Sequence, residues 1–130
     1  MSELTCLELS VVLWLAHLLI QVAVAQVALP LSWLLSARDV SMTAKGLLYG
    51  RAERAQANYL QNYTAFAALD LAFIALHWSA GIWPTVWIVA RAVYIPLYLF
   101  NVVYARSLVW GVSLLAIVMM LIRLASAPYI

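Results

Sequence analysis

The chain has 130 residues, of which 68% are hydrophobic and 9% are charged, and its mean hydropathy is +1.00. These values lie well outside the range of soluble domains, so an integral membrane protein is the default expectation. The net charge of +2 comes from scattered basic residues and gives no indication of nucleic-acid binding. The single cysteine, Cys6, excludes an intrachain disulfide and a cysteine-only metal site, and we expect it to pack as a small hydrophobic residue.

Four hydrophobic stretches are predicted to be membrane-spanning helices, which together form one domain over residues 1–130. A helix needs about 20 apolar residues to cross a hydrocarbon core about 30 Å thick. The predicted spans cover residues 7–29, 53–78, 85–103 and 108–124, and Pro30 ends the first of them. A short connection at residues 104–107 makes the last two helices antiparallel neighbours. The predicted fold class is therefore all-α, an integral membrane protein with four spanning helices.

The distribution of lysine and arginine predicts the orientation in the membrane. Five of the seven basic residues lie in the first connector, at the start of the second span or in the third connector: Arg38, Lys45, Arg51, Arg54 and Arg106. The opposite side offers only Arg123. Because positive charge concentrates on the cytoplasmic side, we expect both termini to face away from the cytoplasm. A bacterial inner membrane is the favoured location.

Two polar stripes interrupt the apolar spans. The first consists of Arg51, Arg54, Asn58 and Gln61, and the second, at the same helical offsets, of Arg91, Tyr94, Tyr98 and Asn101. Each set shares one face of a helix. An arginine inside a span normally faces a polar interior, so the stripes are predicted to form one site for a small, acidic, peptide-like ligand. Alternatively, the arginines anchor the helices at the interface while the amides and phenols join neighbouring helices.

Other polar residues lie deeper in the predicted spans. Asp70 follows Arg54 by 16 residues, so it lies about 24 Å further along the helix and cannot belong to the same small-ligand site. We expect it to pair with a neighbouring span, a subunit or His77, and proton relay is the alternative. Pro96 is expected either to kink the third span and open room for a ligand or to serve packing. His17 and His77 are far apart and lack ligand spacing, so no metal site is predicted.

The stretch RAQANYLQNYTAF, residues 54–66, resembles the second-helix signature of the membrane-associated proteins in eicosanoid and glutathione metabolism, the MAPEG family. That signature reads roughly Arg-Ala-Gln-x-Asn-x-x-Glu, with a Phe five residues after the Glu. ARAVYIPLY at residues 90–98, the Arg106-Ser107 pair and the Ser-Ala-Arg of the first connector resemble further family positions. The resemblance covers the whole four-span plan and favours a bacterial-type member.

The resemblance implies a left-handed four-helix bundle that assembles as a homotrimer and binds glutathione between adjacent subunits near the cytoplasmic side. Arg54 would bind a glutathione carboxylate, and Asn58 and Gln61 would bind its polar backbone. The opposite wall would consist of Arg91, Tyr94 and Tyr98. Two further contributors would be Arg51 and Arg38. Where this chain has Gln61 the family usually has glutamate, which removes a charge that could receive the ammonium of glutathione.

The resemblance also implies a catalytic role for Arg106 and Ser107. A fixed cation near the glutathione sulfur favours the thiolate, which is the nucleophile, and Ser107 would donate a hydrogen bond to the same sulfur. The thiolate would attack a lipophilic electrophile or hydroperoxide that enters from membrane lipid, without a metal. The spacing of eight residues between Tyr98 and Arg106 varies within the family.

Three hypotheses for function follow. The first is a glutathione-dependent transferase or peroxidase acting on lipophilic small molecules. The second is a non-catalytic membrane trimer that binds a lipid, an acidic metabolite or a partner membrane protein. The third, a small transporter or proton-coupled channel, depends on Asp70 and His77 alone.

Overall fold

Residues 1–37 and 47–128 are described by the computed structural model, and within these ranges the chain is helical and has no strand. The helices are α1 Glu3–Ala28, α2 Leu31–Leu34, α3 Leu47–Ala75, α4 Trp83–Leu99 and α5 Val103–Ala125. The all-α prediction is confirmed for this part of the chain, and each predicted span overlaps one of the four long helices. The short α2, which follows Pro30, was not predicted. Arg38 lies outside the described residues.

Two of the helices are long and apolar enough to cross a membrane, namely the segments Glu3–Val27 and Val103–Ala125. Few of their residues are buried, and large apolar side chains such as Leu19, Leu108 and Leu121 are more than half exposed. The core helix of a soluble protein would instead bury most of its apolar surface. By the same criteria of length and apolar composition, α4 is too short, with 17 residues. Helix α3 is long enough but more polar, because it carries the first polar stripe.

The connections after α3 and α4 end both helices in the same way. His77 and Asn101 adopt left-handed backbone conformations, with φ of 52° and 58°. After α3, the backbone N–H of Trp78 donates to the carbonyl of Phe73, and after α4 that of Val102 donates to Leu97. These bonds satisfy carbonyl groups at the helix ends, as in a Schellman motif. The turn between α4 and α5 therefore lies at residues 100–102, and the prediction that residues 104–107 form the connection is wrong.

The core is aromatic and joins the four long helices. Phe66 of α3 stacks on Trp87 of α4 with ring centroids 3.9 Å apart, and both side chains are fully buried. Tyr59 of α3 is also fully buried and donates a hydrogen bond from its hydroxyl to the carbonyl of Ser10 in α1. Met120 belongs to the same cluster and brings in α5. These contacts fix α3 and α4 side by side, which positions the two polar stripes.

Asp70 is fully buried, and neither carboxylate oxygen has a hydrogen-bond partner among the described residues. His77 is exposed and lies beyond the end of α3. The predicted pairing of Asp70 with His77 or a neighbouring span is therefore absent among the described residues of a single chain.

At the end of the helices that carries the N-terminus, a hydrogen-bonded network connects three segments. One carboxylate oxygen of Glu3, in α1, accepts hydrogen bonds from the hydroxyl of Ser79 at 2.9 Å and the backbone N–H of Ala80 at 2.8 Å. Arg123, near the end of α5, donates to the Ser79 carbonyl at 3.2 Å. We call this the N-terminal network. It ties the start of α1 and the end of α5 to the connection between α3 and α4.

Candidate functional site

A small polar cavity lies at the opposite end, where α3 and α5 begin and α4 ends. Its volume is about 180 Å³. It is lined by Asn58, Tyr94, Tyr98, Arg106, Ser107 and Trp110. Three helices contribute these side chains, so the two polar stripes do meet at one place. We call it the polar cavity.

Two arginines converge on Tyr98 beside the polar cavity. Arg54 donates a hydrogen bond from Nε to the Tyr98 hydroxyl oxygen at 3.2 Å. The guanidinium carbon of Arg106 lies 4.8 Å from the centroid of the Tyr98 ring, within the range of a cation–π contact. The ring of Tyr94 packs against that of Tyr98, with centroids 5.4 Å apart. The Tyr98 oxygen is the acceptor in its bond to Arg54, so the Tyr98 O–H remains available as a donor.

Arg91 lies behind the cavity and does not line it. The side chain is fully buried, and its Nη2 donates to Oδ1 of Asn58 at 2.9 Å. The guanidinium carbon also lies 4.8 Å from the Tyr94 ring centroid and 5.5 Å from that of Tyr59. Its Nε and Nη1 have no hydrogen-bond partner in the described part of the chain. Arg91 thus contacts residues of the cavity wall from inside the protein, and its predicted place in a wall of the ligand site stays a prediction.

Arg51 binds the end of a helix and does not reach the cavity lining. Its Nη1 donates to the carbonyl of Leu99, the last residue of α4, at 3.2 Å. That carbonyl is among those left without a partner at a helix end, and a cation there also stabilises the helix dipole. Arg51 thus fixes α3 to the end of α4, one residue beyond Tyr98.

Gly50 leaves room for the Arg54 guanidinium. A Cβ atom at Gly50 would lie 3.1 Å from Nη1 of Arg54, closer than most real contacts of a Cβ. The arginine therefore folds over the glycine on its way to Tyr98.

Arg106 and Ser107 lie in the first two turns of α5 and not in a loop. The N-terminus of a helix carries partial positive charge, which adds to the charge of Arg106. The Ser107 hydroxyl donates to the carbonyl of Val103 at 3.1 Å, so it must rotate before it can donate to a ligand.

Two residues of the predicted stripes lie elsewhere. Gln61 is exposed on α3 and does not line the polar cavity of the single chain. Asn101 is exposed beyond the end of α4, where its left-handed backbone takes it off the face shared by Tyr94 and Tyr98.

Trp110 also lines the cavity, although it belongs to neither of the predicted stripes. It follows Arg106 by four residues and therefore shares its helix face. The spacing indicates a shared face only when the helix includes residue 106, and the predicted connection at residues 104–107 excludes that residue from the helix.

These features define a helical integral membrane protein with a cationic site at one end of its helices. The family model described as "MAPEG family" matches residues 6–126, nearly the whole chain. The chain therefore belongs to the MAPEG family, as the resemblance predicted. Comparisons with curated proteins and with solved structures give no significant match.

Proposed function

We propose that this protein is a glutathione-dependent transferase or peroxidase that acts on lipophilic electrophiles and works as a homotrimer. One observation carries the proposal: Arg54 and Arg106 converge on Tyr98 at the edge of the polar cavity. Arginine binds carboxylates through paired hydrogen bonds, and an arginine beside a thiol favours the thiolate. The two cations thus support two different tasks, carboxylate binding by Arg54 and thiolate stabilisation by Arg106.

The proposed reaction begins with loss of the thiol proton of glutathione to solvent. The thiolate lone pair then forms a C–S bond to an electrophilic carbon, and the leaving group departs with the electrons of the bond that breaks. With a lipid hydroperoxide, two glutathione molecules would be oxidised to the disulfide while the hydroperoxide is reduced to an alcohol and water. Arg106 and the N-terminus of α5 stabilise the sulfur anion in either case.

An apolar groove next to the polar cavity supports a lipophilic second substrate. This groove has a volume of about 370 Å³ and lies between α4 and α5. Its lining is almost entirely apolar and includes Val86, Val89, Val93, Val109 and Val112. Val93 and Val109 directly precede Tyr94 and Trp110 of the polar cavity in the sequence. A hydrocarbon chain in this groove would bring an attached electrophile toward the end where Arg106 lies.

The homotrimer is supported by the outer face of α3. Ala57, Gln61, Thr64 and Ala68 are exposed in a single chain and lie along one side of this helix. Small and polar side chains are typical of helix–helix interfaces in membranes and poorly suited to lipid. The polar cavity, at about 180 Å³, is also smaller than the roughly 300–1,000 Å³ of most small-molecule sites. We infer that a second copy covers this face of α3 and completes the site, with Gln61 beside it.

The proposed orientation places the polar cavity on the cytoplasmic side of the membrane, which in this proposal is a bacterial inner membrane. Arg51, Arg54 and Arg106 all lie at this end, whereas the end with the N-terminal network has Arg123. Arginine excess marks the cytoplasmic side. Both termini would then face away from the cytoplasm, and glutathione would enter from the cytoplasm.

Titration of the detergent-purified protein with glutathione tests the proposal. We expect saturable binding, growth of thiolate absorbance, and conjugation of a generic electrophile at a rate that follows the thiolate signal. Binding without thiolate formation or conjugation would favour the non-catalytic trimer, a reading to which the engaged hydroxyl of Ser107 lends support. Absence of saturable binding at millimolar glutathione would contradict both the enzyme and its glutathione site.

A further inference from the structure

The contact between Arg91 and Asn58 determines which part of the Asn58 amide faces the polar cavity. Arginine has five N–H donors and no acceptor, so only the amide oxygen of Asn58 can lie toward it. The 2.9 Å bond from Arg91 Nη2 to Asn58 Oδ1 uses one of the two lone pairs of that oxygen and holds the oxygen toward Arg91. Arg91 is fully buried and Asn58 half-buried, so this bond is partly shielded from water, which strengthens it. The amide NH₂ group is turned away from Arg91 and is the donor that Asn58 offers to a ligand.

The other polar groups around the cavity also favour acceptors on the ligand. The Tyr98 oxygen already accepts from Arg54, which leaves its O–H to donate. Arg106 can only donate, and none of the six lining residues is a carboxylate. A ligand ammonium at this place would meet hydroxyl oxygens and two nearby cations. The charge repulsion opposes its binding.

The acidic residues of the chain are mostly placed elsewhere. Of the five, Asp39 lies outside the described residues, Glu3 is held in the N-terminal network at the opposite end, and Asp70 is buried in α3. Glu8 lies on α1 near Glu3. Glu53, exposed beside Arg54, is the carboxylate of the described chain that lies nearest in sequence to the site.

We propose that Arg91 is a positioning residue that holds Asn58 as a hydrogen-bond donor, so that the site binds the carboxylate and carbonyl groups of its thiol peptide and does not recognise a free amino group. This inference rests on the proposed function and narrows its substrate class to acidic thiols, with or without a free amine. Gln61, one turn beyond Asn58, supplies no charge to change that preference.

The test compares the binding of glutathione and N-acetylglutathione, which differ only at the amino group, to the full-length protein by calorimetry. We expect the two dissociation constants to agree within about threefold, the effect of no more than one weak hydrogen bond. Binding of glutathione tighter by about tenfold or more would show a charge-assisted bond to the ammonium and overturn the inference. If neither peptide binds, the proposed function fails, and this inference fails with it.

Two substitutions test the role of Arg91 separately from folding. In Arg91→Met the Asn58 amide is free to turn its oxygen toward the ligand, so the affinity for glutathione should fall about tenfold and a preference for the free amine should appear. In Asn58→Leu the donor is lost, so both peptides should bind about tenfold more weakly with an unchanged ratio. An unchanged ratio in folded Arg91→Met would overturn the positioning role. If Arg91→Met does not fold, a ratio that shifts in Asn58→Leu would overturn it.

Two carboxylate exchanges provide the matched controls. Gln61→Glu adds a charge beside Asn58 and should create a preference for glutathione over its acetylated form of about tenfold. Glu53→Gln should leave the ratio of the parent unchanged. If the parent prefers the free amine and Glu53→Gln abolishes that preference, Glu53 recognises the ammonium and the inference is wrong.

Discussion

The two ends of the helices contain similar residue types but use them differently. In the N-terminal network, Glu3 and Arg123 both bind the Ser79–Ala80 segment, and the one carboxylate oxygen of Glu3 that takes part accepts two hydrogen bonds. At the polar cavity, Arg54 and Arg106 contact the same tyrosine, and the cavity opens beside them. The first arrangement closes a turn, whereas the second leaves donors available.

This difference separates a structural use of charge from a binding use. A charged group whose partners are fixed in the same chain stabilises the connection that it bridges. An arginine that packs on the face of an aromatic ring keeps most of its N–H donors available, because the ring face is attracted to the charge without engaging those donors in hydrogen bonds. We therefore expect substitutions at the two ends to affect different measurements, activity at one end and stability at the other.

The largest expected effect is at Arg106. Arg106→Ala should lower the rate of conjugation by about 100-fold to 1,000-fold, comparable to loss of one preorganised group that stabilises an anion. Glutathione should still bind, because the carboxylate contact of Arg54 remains. Thiolate absorbance in the glutathione complex and the conjugation rate are the two measurements.

The matched control for this variant is Arg123→Ala at the opposite end, which removes the same charge. It should leave both the thiolate signal and the conjugation rate unchanged. Equal loss of activity in the two variants would show that net charge, and not the polar cavity, controls the reaction.

The next effect is at Arg54. Arg54→Ala removes the proposed carboxylate contact and the hydrogen bond to Tyr98. The dissociation constant for glutathione should rise by about tenfold or more, the value of one charge-assisted hydrogen bond. Thiolate formation at saturating glutathione should persist, since Arg106 is intact. Calorimetry combined with the absorbance assay separates this result from that of Arg106→Ala, and identical behaviour of the two variants would contradict the division of roles.

At the opposite end, Glu3→Ala should affect stability alone. It removes the acceptor of the hydrogen bonds from Ser79 and Ala80. We expect the free energy of unfolding to fall by about 1–2 kcal/mol, as for the loss of two partly exposed hydrogen bonds. Thermal unfolding in detergent measures the loss, and glutathione affinity measured at a temperature where the variant is folded should equal that of the parent. A weakened affinity would mean that the two ends are coupled.

The smallest effect is expected at Gly50, where a substitution should raise helix stability and slightly weaken glutathione binding. Gly50→Ala should raise helix stability by about 0.5–1 kcal/mol, because alanine is the better helix former. The new Cβ would also displace the Arg54 guanidinium from its place 3.1 Å away. Glutathione binding should weaken by no more than about threefold, since the end of an arginine side chain can shift. A larger loss of affinity would mean that Arg54 is held rigidly.

Helix positions were predictable because long apolar runs and proline act locally. Pro30 comes directly after Leu29, the C-cap of α1, and the apolar runs determine which segments become the long helices. The ends were harder, because His77 and Asn101 close their helices in a left-handed conformation that glycine usually supplies. Neither residue stood out as a stop signal, and so the start of α5 was placed too late.

Helical spacing was enough to predict which polar residues share one face of a helix. Tyr94, Tyr98 and Asn58, all members of the two stripes, line the polar cavity, while their role in ligand binding stays a prediction. Spacing does not distinguish a residue on the cavity wall, such as Tyr94, from one behind it, such as Arg91. Burial behind Asn58 depends on how α3 and α4 pack through Phe66 and Trp87, and a single sequence does not contain that information.

The central claim is that glutathione binds at the end of the helices where Arg54 and Arg106 meet. A structure of the protein with bound glutathione, determined by electron cryomicroscopy in lipid nanodiscs, tests it most directly. We predict density for the peptide in the polar cavity of each copy of a trimer, with the sulfur next to Arg106 and a carboxylate on Arg54. Glutathione bound near Arg123, or a polar cavity that stays empty at saturating glutathione, would contradict the claim.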